Sequence, residues 1–305
     1  MLNKVRAIRA ARSPFGASNY AWKQGEKTAS RLFSTSSTSD DDKKYDNIPE
    51  SIWKLTEKKL YQNPQHPLAT LLTKTENFFA RPDITDIQIP GEKFKVFSDF
   101  KPLVKTEDCF DALRIPPDHV SRQPTDTYYK SKTECLRTHT SVHQIPLIKD
   151  PSNNAFLVVG DVYRKDTVDR THYPAFHQME GVRIFDWDAI DAKNVNQAKE
   201  IAQRDLKQVL ENLAREVFGD VEMKWSPDNF PFTDPSLELE VYYNNEWLEI
   251  LGCGVIHDQI LTRSGRDIEK QVGWAFGLGL ERWAMKLFGI DDIRLFWSDD
   301  KRFIN

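Results

Sequence analysis

The stretches Phe156-Leu-Val-Val-Gly-Asp-Val-Tyr-Arg164 and Thr171-His-Tyr-Pro-Ala-Phe-His-Gln-Met-Glu-Gly181 decide the fold of this chain. Ala155–Tyr163 and Gly181–Trp187 are runs rich in β-branched and aromatic residues, which are typical of strands. The polar segment 164–173 between them is too short to form the crossover helix that parallel strands need. We therefore expect these strands to form a hairpin-like antiparallel pair.

The return strand of this pair carries a candidate binding face. Side chains alternate along a strand, so Phe176, Gln178 and Glu180 face the same way. A flat ring, an amide and a carboxylate on one face could stack a base and bind an ammonium group. Arg164, at a strand end beside a loop, offers a rigid fork suited to phosphate. The alternative is a solvated hairpin with an ordinary ion pair between Arg164 and Glu180.

A second candidate segment is Phe230-Pro-Phe232-Thr-Asp-Pro-Ser236. The prolines favour an extended backbone, in which Phe230 and Phe232 project to the same side and can present their edges to a third aromatic ring. Paired phenylalanines are also common in protein cores, and this alternative stays open.

The third segment is Gly273-Trp-Ala-Phe-Gly-Leu-Gly-Leu-Glu-Arg282-Trp-Ala-Met-Lys-Leu-Phe-Gly289. Its pattern predicts an amphipathic helix over Phe276–Phe288. Gly277 and Gly279 at the start of a helix would each cost about 1 kcal/mol relative to alanine, which indicates a close approach to that backbone. Arg282 lies on an otherwise apolar helix, so its buried guanidinium should face an anion. A structural acid is the alternative partner.

The remaining order of elements indicates the fold class. Apolar residues at three- and four-residue steps predict a helix over Asn194–Phe218, ending at Gly219. Two shorter helical patterns precede the hairpin, one through Ile52, Leu55 and Leu60 and one beginning at Pro67. Strands, helix, strands and helix without βαβ alternation predict an α+β fold with an antiparallel-rich sheet flanked by helices.

Composition excludes several classes of protein. The chain has 305 residues, of which 39% are hydrophobic and 29% charged, as in a globular protein. No apolar stretch approaches the ~18 residues of a membrane-spanning helix. The three cysteines form no C-x-x-C pair, which favours neither a disulfide framework nor a zinc site, and a reducing compartment fits best. The sequence contains no G-x-x-x-x-G-K-[ST] or G-x-G-x-x-G motif, so any nucleotide must be held by side chains.

The N-terminal segment is expected to lie outside the fold. Residues 1–39 contain seven basic residues, one acid and ten serines or threonines, a composition typical of a transit peptide. A disordered basic arm is the alternative. Arg31-Leu-Phe33-Ser34 resembles a mitochondrial processing site, so we expect a transit peptide over residues 1–33 and a disordered polar segment over residues 34–50. Residues 40–305 contain 35 basic and 45 acidic residues, and this formal charge of −10 argues against a general nucleic-acid clamp.

Together the three segments resemble the phenylalanyl-tRNA synthetases of mitochondria, a family of class II aminoacyl-tRNA synthetases. Val158-Val-Gly-Asp-Val-Tyr-Arg164 with His177-Gln-Met-Glu-Gly181 is similar to class II motif 2, and Gly277-Leu-Gly-Leu-Glu-Arg282 is similar to motif 3. Phe230-Pro-Phe232 is similar to the fingerprint of the phenylalanine family. The resemblance runs from about His66 to the last residue, and it implies a class II catalytic domain over residues 51–305.

The resemblance also implies substrates and site residues. ATP would place its α-phosphate on Arg164 and its adenine between Phe176 and Arg282, with Arg282 and His172 near the phosphates and Glu249 also in the ATP site. Arg164, Arg282 and His172 would be the catalytic residues. Mg²⁺ would be bound by Glu249 and Asp234. The phenylalanine site would comprise His139, Ser141, Gln144, Gln178, Glu180, Phe230, Phe232, Gly252 and Ala275.

The implied partners are L-phenylalanine, ATP and tRNA(Phe), with no membrane partner, and the expected protein is a monomer in the mitochondrial matrix. The family continues past residues 294–303 into an anticodon-binding domain, whereas this sequence stops at Asn305. Adenylate formation is therefore expected, with impaired transfer to tRNA.

Two alternatives differ in function. A noncatalytic synthetase-like binding or regulatory protein should lose an ATP arginine or a pocket residue, yet Arg164, Gln178, Glu180 and Arg282 are all present. A ligase for another carboxylic acid would lack the Phe-Pro-Phe segment.

Overall fold

The computed structural model describes residues 43–298. The expected transit peptide over residues 1–33 lies outside this range. The described residues form a seven-stranded sheet and a separate three-stranded sheet. The ten strands are β1 (Lys95–Phe97), β2 (Leu103–Lys105), β3 (Tyr129–Ser131), β4 (Glu134–Leu136), β5 (Ala155–Tyr163), β6 (Ala175–Asp186), β7 (Glu222–Asp228), β8 (Thr233–Tyr243), β9 (Glu246–Ile256) and β10 (Gln271–Gly279).

The large sheet has the order β1-β5-β6-β10-β9-β8-β7. Within the described residues, every neighbouring pair of this sheet is antiparallel except β1 and β5, which are parallel. The small sheet has the order β2-β4-β3 and is antiparallel. The predicted α+β fold with an antiparallel-rich sheet is confirmed, and so is the predicted hairpin, formed by β5 and β6.

Helices flank the large sheet. They are α1 (Glu50–Leu55), α2 (Pro67–Phe79), α3 (Gln144–Ile148), α4 (Val195–Phe218), α5 (Asp258–Arg263) and α6 (Leu280–Phe288). The long helix α4 matches its prediction, because the Asn194 side chain accepts a hydrogen bond from the Gln197 amide at 3.0 Å and Gly219 ends the helix with a φ of +86°. None of the helices in residues 43–298 is long and apolar enough to cross a membrane.

Buried polar contacts fix α4 against one face of the large sheet. The Arg183 guanidinium on β6 donates to both carboxylate oxygens of Asp205 on α4, each at 3.0 Å. The Trp274 indole on β10 donates to the same carboxylate at 2.7 Å. Because a buried charge needs a partner, these contacts hold α4 to the central strands. The opposite face of the sheet is therefore left for other segments.

That opposite face contains a row of residues directly across four strands. Glu180 on β6 pairs with Gly277 on β10, Gly277 with Gly252 on β9, and Gly252 with Glu238 on β8. The two neighbouring glycines leave a strip of bare backbone between two carboxylates. The sheet thus forms the floor of a trough.

Two predicted helices have different bounds in the structure. Residues 276–279 belong to strand β10, and the last helix begins only at Leu280, so the prediction of a helix from Phe276 was wrong. The predicted close approach holds at Gly277, where an added Cβ would lie 2.6 Å from the Gln178 amide nitrogen, but not at Gly279, where an added Cβ would have no neighbour within 4 Å. Leu60 does not continue the helix of Ile52, because α1 ends at Leu55 and a short 3₁₀ turn begins at Leu60.

The described part of the predicted disordered segment 34–50 is packed. The Asn47 amide donates to the Tyr129 carbonyl at 2.9 Å, and the Asn47 side chain accepts from the Tyr129 amide at 2.8 Å. Residues 34–42 lie outside the described residues.

Candidate active site

A cavity of about 560 Å³ lies over the trough on the sheet face opposite α4. This is a usual size for a small-molecule site. Strands β6, β8, β9 and β10 supply its floor, and loop segments around residues 115–127, 138–144 and 229–233 supply its walls. The predicted site residues that line it are His139, Ser141, Gln144, Arg164, Gln178, Glu180, Phe230, Phe232, Glu249, Gly252 and Ala275.

Glu180 is a buried carboxylate on the cavity floor, with 1% of its surface exposed. The hydroxyl groups of Ser141 and Thr140 both donate to its Oε2 atom. Its Oε1 atom has no hydrogen-bond partner among the described residues. Burial raises the pKa of Glu180, because a charge in a low-dielectric site is poorly solvated. Among the described contacts, no ion pair joins Glu180 to Arg164. The alternative interpretation of this hairpin, a solvated hairpin with an Arg164–Glu180 ion pair, is therefore wrong.

Other buried polar atoms without partners lie beside this carboxylate. Among the described residues, Gln144 Oε1 and both ring nitrogens of His139 lack a hydrogen-bond partner. Buried polar groups in proteins are normally satisfied, so a cluster of unsatisfied ones indicates a ligand or water. An ammonium group fits the carboxylate and amide oxygens, because it is a donor only.

Gln178 presents its amide nitrogen to the same cavity. Its Oε1 atom accepts a hydrogen bond from the Thr140 amide at 3.1 Å, which fixes the orientation of the side chain. The nitrogen end lies above Gly277, where the missing side chain makes room for it. The amide can therefore donate to a ligand held over the bare backbone.

Phe230 and Phe232 form an aromatic wall of the cavity. Their rings are nearly parallel, with an interplanar angle of 11° and centroids 6.0 Å apart, and both line the cavity. The predicted extended backbone is wrong, because residues 230–233 form a turn that the hydrogen bond from the Thr233 amide to the Phe230 carbonyl closes at 3.3 Å. The Phe230 ring lies directly over Gly252, since a Cβ there would be 2.6 Å from Phe230 Cζ. The His139 ring lies 6.2 Å from the Phe232 ring. This wall offers an apolar slot for a flat ring.

Arg164 lies at the end of β5, on the polar side of the cavity. Its Nε donates to the Thr138 carbonyl at 3.0 Å, and its guanidinium carbon lies 5.2 Å from the centre of the Phe176 ring. The hydrogen bonds of the described residues use only Nε, so the terminal nitrogens remain as donors. A guanidinium held in this way suits an anionic ligand.

A buried ion pair lies beside the 138–144 segment. Arg137 Nη2 lies 2.8 Å from Asp161 Oδ1, and both side chains are 1% exposed. Arg137 also lies 3.1 Å from Nε2 of His143, whose pKa is lowered to about 3 by burial and by the Arg137 charge. Gly160 makes room for this guanidinium, because a Cβ there would be 2.4 Å from Arg137 Nη2.

Four predicted site residues do not line the cavity. Phe176 is half-buried beneath Arg164. His172 lies on an exposed loop, with its Nδ1 atom 3.0 Å from the Asp169 carboxylate. Asp234 is exposed at the start of β8. Arg282 is 58% exposed and lies 3.3 Å from the Glu249 carboxylate, so the expectation of a buried guanidinium was wrong.

Glu238 is a cavity residue that the sequence reasoning missed. It lies in the trough across from Gly252, near Asp228, Glu240 and Glu249, and burial together with repulsion from these carboxylates raises its pKa to about 7. The alternation Leu237-Glu-Leu-Glu240 placed it on one face of a strand but gave no sign of which face. Segment 115–127 also contributes unforeseen cavity residues, namely Ile115, His119, Val120, Ser121, Asp126 and Thr127.

The neighbouring carboxylates of Glu238 and Glu249 suit a hard divalent cation. Oxygen ligands of this kind are those that Mg²⁺ prefers, usually one or two carboxylates together with substrate phosphates. No group of three or more metal-ligating side chains occurs among residues 43–298.

Comparisons with known proteins show the family to which the chain belongs. Residues 53–305 match the family described as tRNA synthetases class II core domain (F). The chain is 47% identical over 260 residues to the chloroplastic/mitochondrial phenylalanine–tRNA ligase of Arabidopsis thaliana, covering 84% of this chain and 57% of that protein. It is 45% identical over 277 residues to the mitochondrial enzyme of Dictyostelium discoideum, covering 85% and 60%.

A third relative is the mitochondrial phenylalanine–tRNA ligase of Saccharomyces cerevisiae, 36% identical over 325 residues, which cover 84% of this chain and 68% of that protein. The chain thus spans only about three fifths of the first two relatives. The matched residues include the hairpin, the aromatic wall and the trough. The chain belongs to the class II tRNA synthetase core-domain family, together with these phenylalanine–tRNA ligases.

Proposed function

We propose that this protein activates L-phenylalanine with ATP and transfers the phenylalanyl group to tRNA(Phe). The observation that carries the proposal is the group of unpartnered buried polar atoms on Glu180, Gln144 and His139 beside the parallel rings of Phe230 and Phe232. One cavity thus offers acceptors for an ammonium and an apolar slot for a phenyl ring. Phenylalanine carries both groups.

The amino-acid end of the site would work as follows. The ammonium donates to Glu180 and Gln144, while Ser141 holds the Glu180 carboxylate in place. The phenyl ring packs against Phe230 and Phe232 above Gly252, and Ala275 bounds the slot on the neighbouring strand. The Gln178 amide nitrogen, above Gly277, is available for the substrate carboxylate.

The nucleotide end would work mainly through charge. The phenylalanine carboxylate oxygen attacks the α-phosphorus of ATP, the new C–O–P linkage forms, and pyrophosphate leaves with the electrons of the broken P–O bond. Arg164 neutralises the charge that develops on the α-phosphate, and Phe176 supports this arginine from below. Arg282 and His172 are exposed, so they would meet the adenine and the phosphates from the solvent side. Positioning and charge neutralisation suffice, because the substrate itself supplies the nucleophile.

The Mg²⁺ ion of the proposal would neutralise phosphate charge. Glu249 is the proposed protein ligand, and Glu238 lies close enough for their charges to repel. Asp234, the second ligand suggested by the resemblance, does not line the cavity, so Glu238 is the better partner for Glu249.

The proposed location follows the names of the relatives and the composition of the N-terminal segment. The Dictyostelium discoideum and Saccharomyces cerevisiae relatives are named mitochondrial, and the basic N-terminal composition favours a transit peptide over residues 1–33. We therefore propose a mitochondrial matrix enzyme with a catalytic domain over residues 51–305. That it acts as a monomer is proposed from the family resemblance. Import of a fluorescent fusion with and without residues 1–33 tests the location, and sedimentation of the purified chain tests the oligomeric state.

The activity is tested by ATP–pyrophosphate exchange with the full chain. We expect exchange that depends on phenylalanine and far exceeds the rate with tyrosine or leucine. Charging of tRNA(Phe) is measured alongside, to separate activation from transfer. A folded sample without phenylalanine-dependent exchange would refute the proposal and favour a noncatalytic synthetase-like protein.

A further inference from the structure

The aromatic wall of the cavity is held by hydrogen bonds to three consecutive carbonyl groups. The Phe230 carbonyl accepts from the Thr233 amide at 3.3 Å, and the Phe232 carbonyl accepts from the His257 amide at 3.0 Å. Both donors are backbone groups at the ends of β8 and β9. The carbonyl of Pro231, between the two rings, accepts instead from the Arg114 side chain.

Arg114 reaches this carbonyl from an unusual backbone position. It follows the helical turn Glu107–Asp111 and has a φ of 64°, in the left-handed region that glycine adopts most easily at such a position. Its amide donates to the Asp111 carbonyl at 3.1 Å, which closes the turn. A glycine would make this turn without steric cost, so the arginine is explained by what its side chain does.

The Arg114 side chain joins two elements. One terminal nitrogen donates to the Pro231 carbonyl, while Nε donates to Oε1 of Gln259 on α5 at 3.0 Å. The next residue, Ile115, lines the cavity itself. The guanidinium fork thus fixes the spacing between the aromatic wall, α5 and the loop that faces the wall.

We infer that Arg114 is a positioning residue for the amino-acid slot: by holding the Pro231 carbonyl it sets the orientation of Phe230 and Phe232 and therefore the affinity for the aromatic side chain of the substrate. This inference rests on the proposed function, since it assigns the occupant of the slot. Arg114 touches neither the Arg164 side chain nor the Glu238–Glu249 pair in the described contacts. Its effect should therefore fall on the amino acid and not on ATP.

Arg263 provides a matched control. It is an arginine on α5 that donates to the carbonyls of Asp111 and Ala112 at 2.6 and 2.7 Å, so it braces the same turn without contacting the aromatic wall. A merely structural role for Arg114 predicts that Arg114→Ala and Arg263→Ala behave alike. A positioning role predicts that only the first changes phenylalanine binding.

The experiment measures KM for phenylalanine and for ATP by pyrophosphate exchange, and Kd for phenylalanine by calorimetry, in the full chain. Loss of one hydrogen bond that orients the slot should raise the phenylalanine KM and Kd of Arg114→Ala about five- to tenfold. The ATP KM should stay within about twofold, as expected when only uniform binding of the amino acid is lost. Arg114→Lys should restore part of the affinity, because an ammonium keeps a donor but loses the planar fork.

Three results would overturn the inference. These are an unchanged phenylalanine Kd in Arg114→Ala, an equal rise in both KM values, or the same phenylalanine effect in Arg263→Ala. Wild-type protein that binds phenylalanine without catalysing exchange would refute the proposed activity, while the Kd comparison would still decide the role of Arg114. Wild-type protein that does not bind phenylalanine would overturn both.

Discussion

Replacing Glu180 with glutamine separates the binding role of this carboxylate from its structural role. Glutamine has the same shape, and its amide oxygen can still accept the hydrogen bonds that Ser141 and Thr140 donate to Oε2. The NH₂ group then takes the place of Oε1, the atom without a partner in the cavity. The variant thus keeps the supporting contacts and loses the charge that would face the ammonium.

The expected loss of affinity follows from one charge-assisted hydrogen bond. Such bonds contribute about 1.5–3 kcal/mol, and each 1.4 kcal/mol is tenfold in an equilibrium constant. The amide NH₂ is itself a donor and cannot accept from an ammonium. We therefore expect the phenylalanine KM of Glu180→Gln to rise about 10- to 150-fold, with the ATP KM nearly unchanged.

Stability should change in the opposite direction. Burial raises the pKa of Glu180, so the folded state binds its proton more tightly than the unfolded state. The ionisation therefore lowers the free energy of unfolding as pH rises above the ordinary glutamate pKa of about 4.3. Glu180→Gln lacks this ionisation, so the ligand-free variant should be as stable as wild type at acid pH and more stable at neutral pH.

The assay combines pyrophosphate exchange with urea unfolding at several pH values. Glu240→Gln is the control, because Glu240 lies on β8 of the same sheet and is bound by Lys224 and Ser226 outside the cavity. A phenylalanine KM within twofold of wild type in Glu180→Gln, or an equal rise in Glu240→Gln, would refute the assigned role of Glu180. Lower stability of the ligand-free variant at neutral pH would refute the argument from burial.

Three further substitutions test the nucleotide end of the site, the amino-acid slot and the buried Arg137–Asp161 ion pair. Arg164→Ala should reduce exchange about 10²–10³-fold without shifting the unfolding curve, and unchanged turnover would contradict its proposed role. Gly252→Ala should raise the phenylalanine KM and not the ATP KM, because the new Cβ would lie 2.6 Å from Phe230 Cζ. Gly279→Ala should leave the phenylalanine KM unchanged, because its Cβ would enter open space. Equal effects of the two substitutions on the phenylalanine KM would contradict the packing argument. Arg137→Met should lower the free energy of unfolding by about 3 kcal/mol, because it removes the closest cation from the buried Asp161 carboxylate and leaves it, among the described contacts, only Lys59 at 3.6 Å and the Tyr163 hydroxyl at 2.6 Å. Lys54→Met, at an exposed ion pair, should change it by less than about 1 kcal/mol. Urea unfolding measures both, and a similar small loss in both would contradict the burial of the Asp161 charge.

Much of the local structure could be predicted from sequence. Helix α4 was predicted to within a residue, because its apolar period, its Asn194 cap and its terminal Gly219 are all local signals. Strand β5 was predicted with the bounds that the structure has, because its run of β-branched residues is bounded by polar segments. The alternation that put Gln178 and Glu180 on one face also holds in the structure, since both line the cavity.

Residues 276–279 show where this reasoning fails. Their sequence continues smoothly into a helical pattern, but the segment is a strand because it pairs with β6 on one side and β9 on the other. Gly277 is tolerated there because the Gln178 amide occupies the space of its side chain. Such pairings join residues far apart in sequence, so no local pattern reveals them.

Arg282 and Glu238 show the same limit for the site. Arg282 was expected to be buried on an apolar helix, yet it is exposed and pairs with Glu249 from another strand. Glu238 has a pKa raised to about 7 because it is partly desolvated and because three other carboxylates approach it from neighbouring positions of the folded sheet. The charges are visible in the sequence, but their distances are not.

The sequence by itself determined the fold class, the hairpin, helix α4 and the chemical types that the site contains, because periodicity, capping and motif spacing are properties of contiguous residues. Only the tertiary structure decided that Gly252 and Gly277 lie side by side between Glu180 and Glu238, and that Arg114 holds the aromatic wall. The physical reason is that strand register and buried hydrogen bonds depend on which distant segments pack together. That packing places the Glu180 carboxylate, the aromatic wall and the Arg164 guanidinium around one cavity.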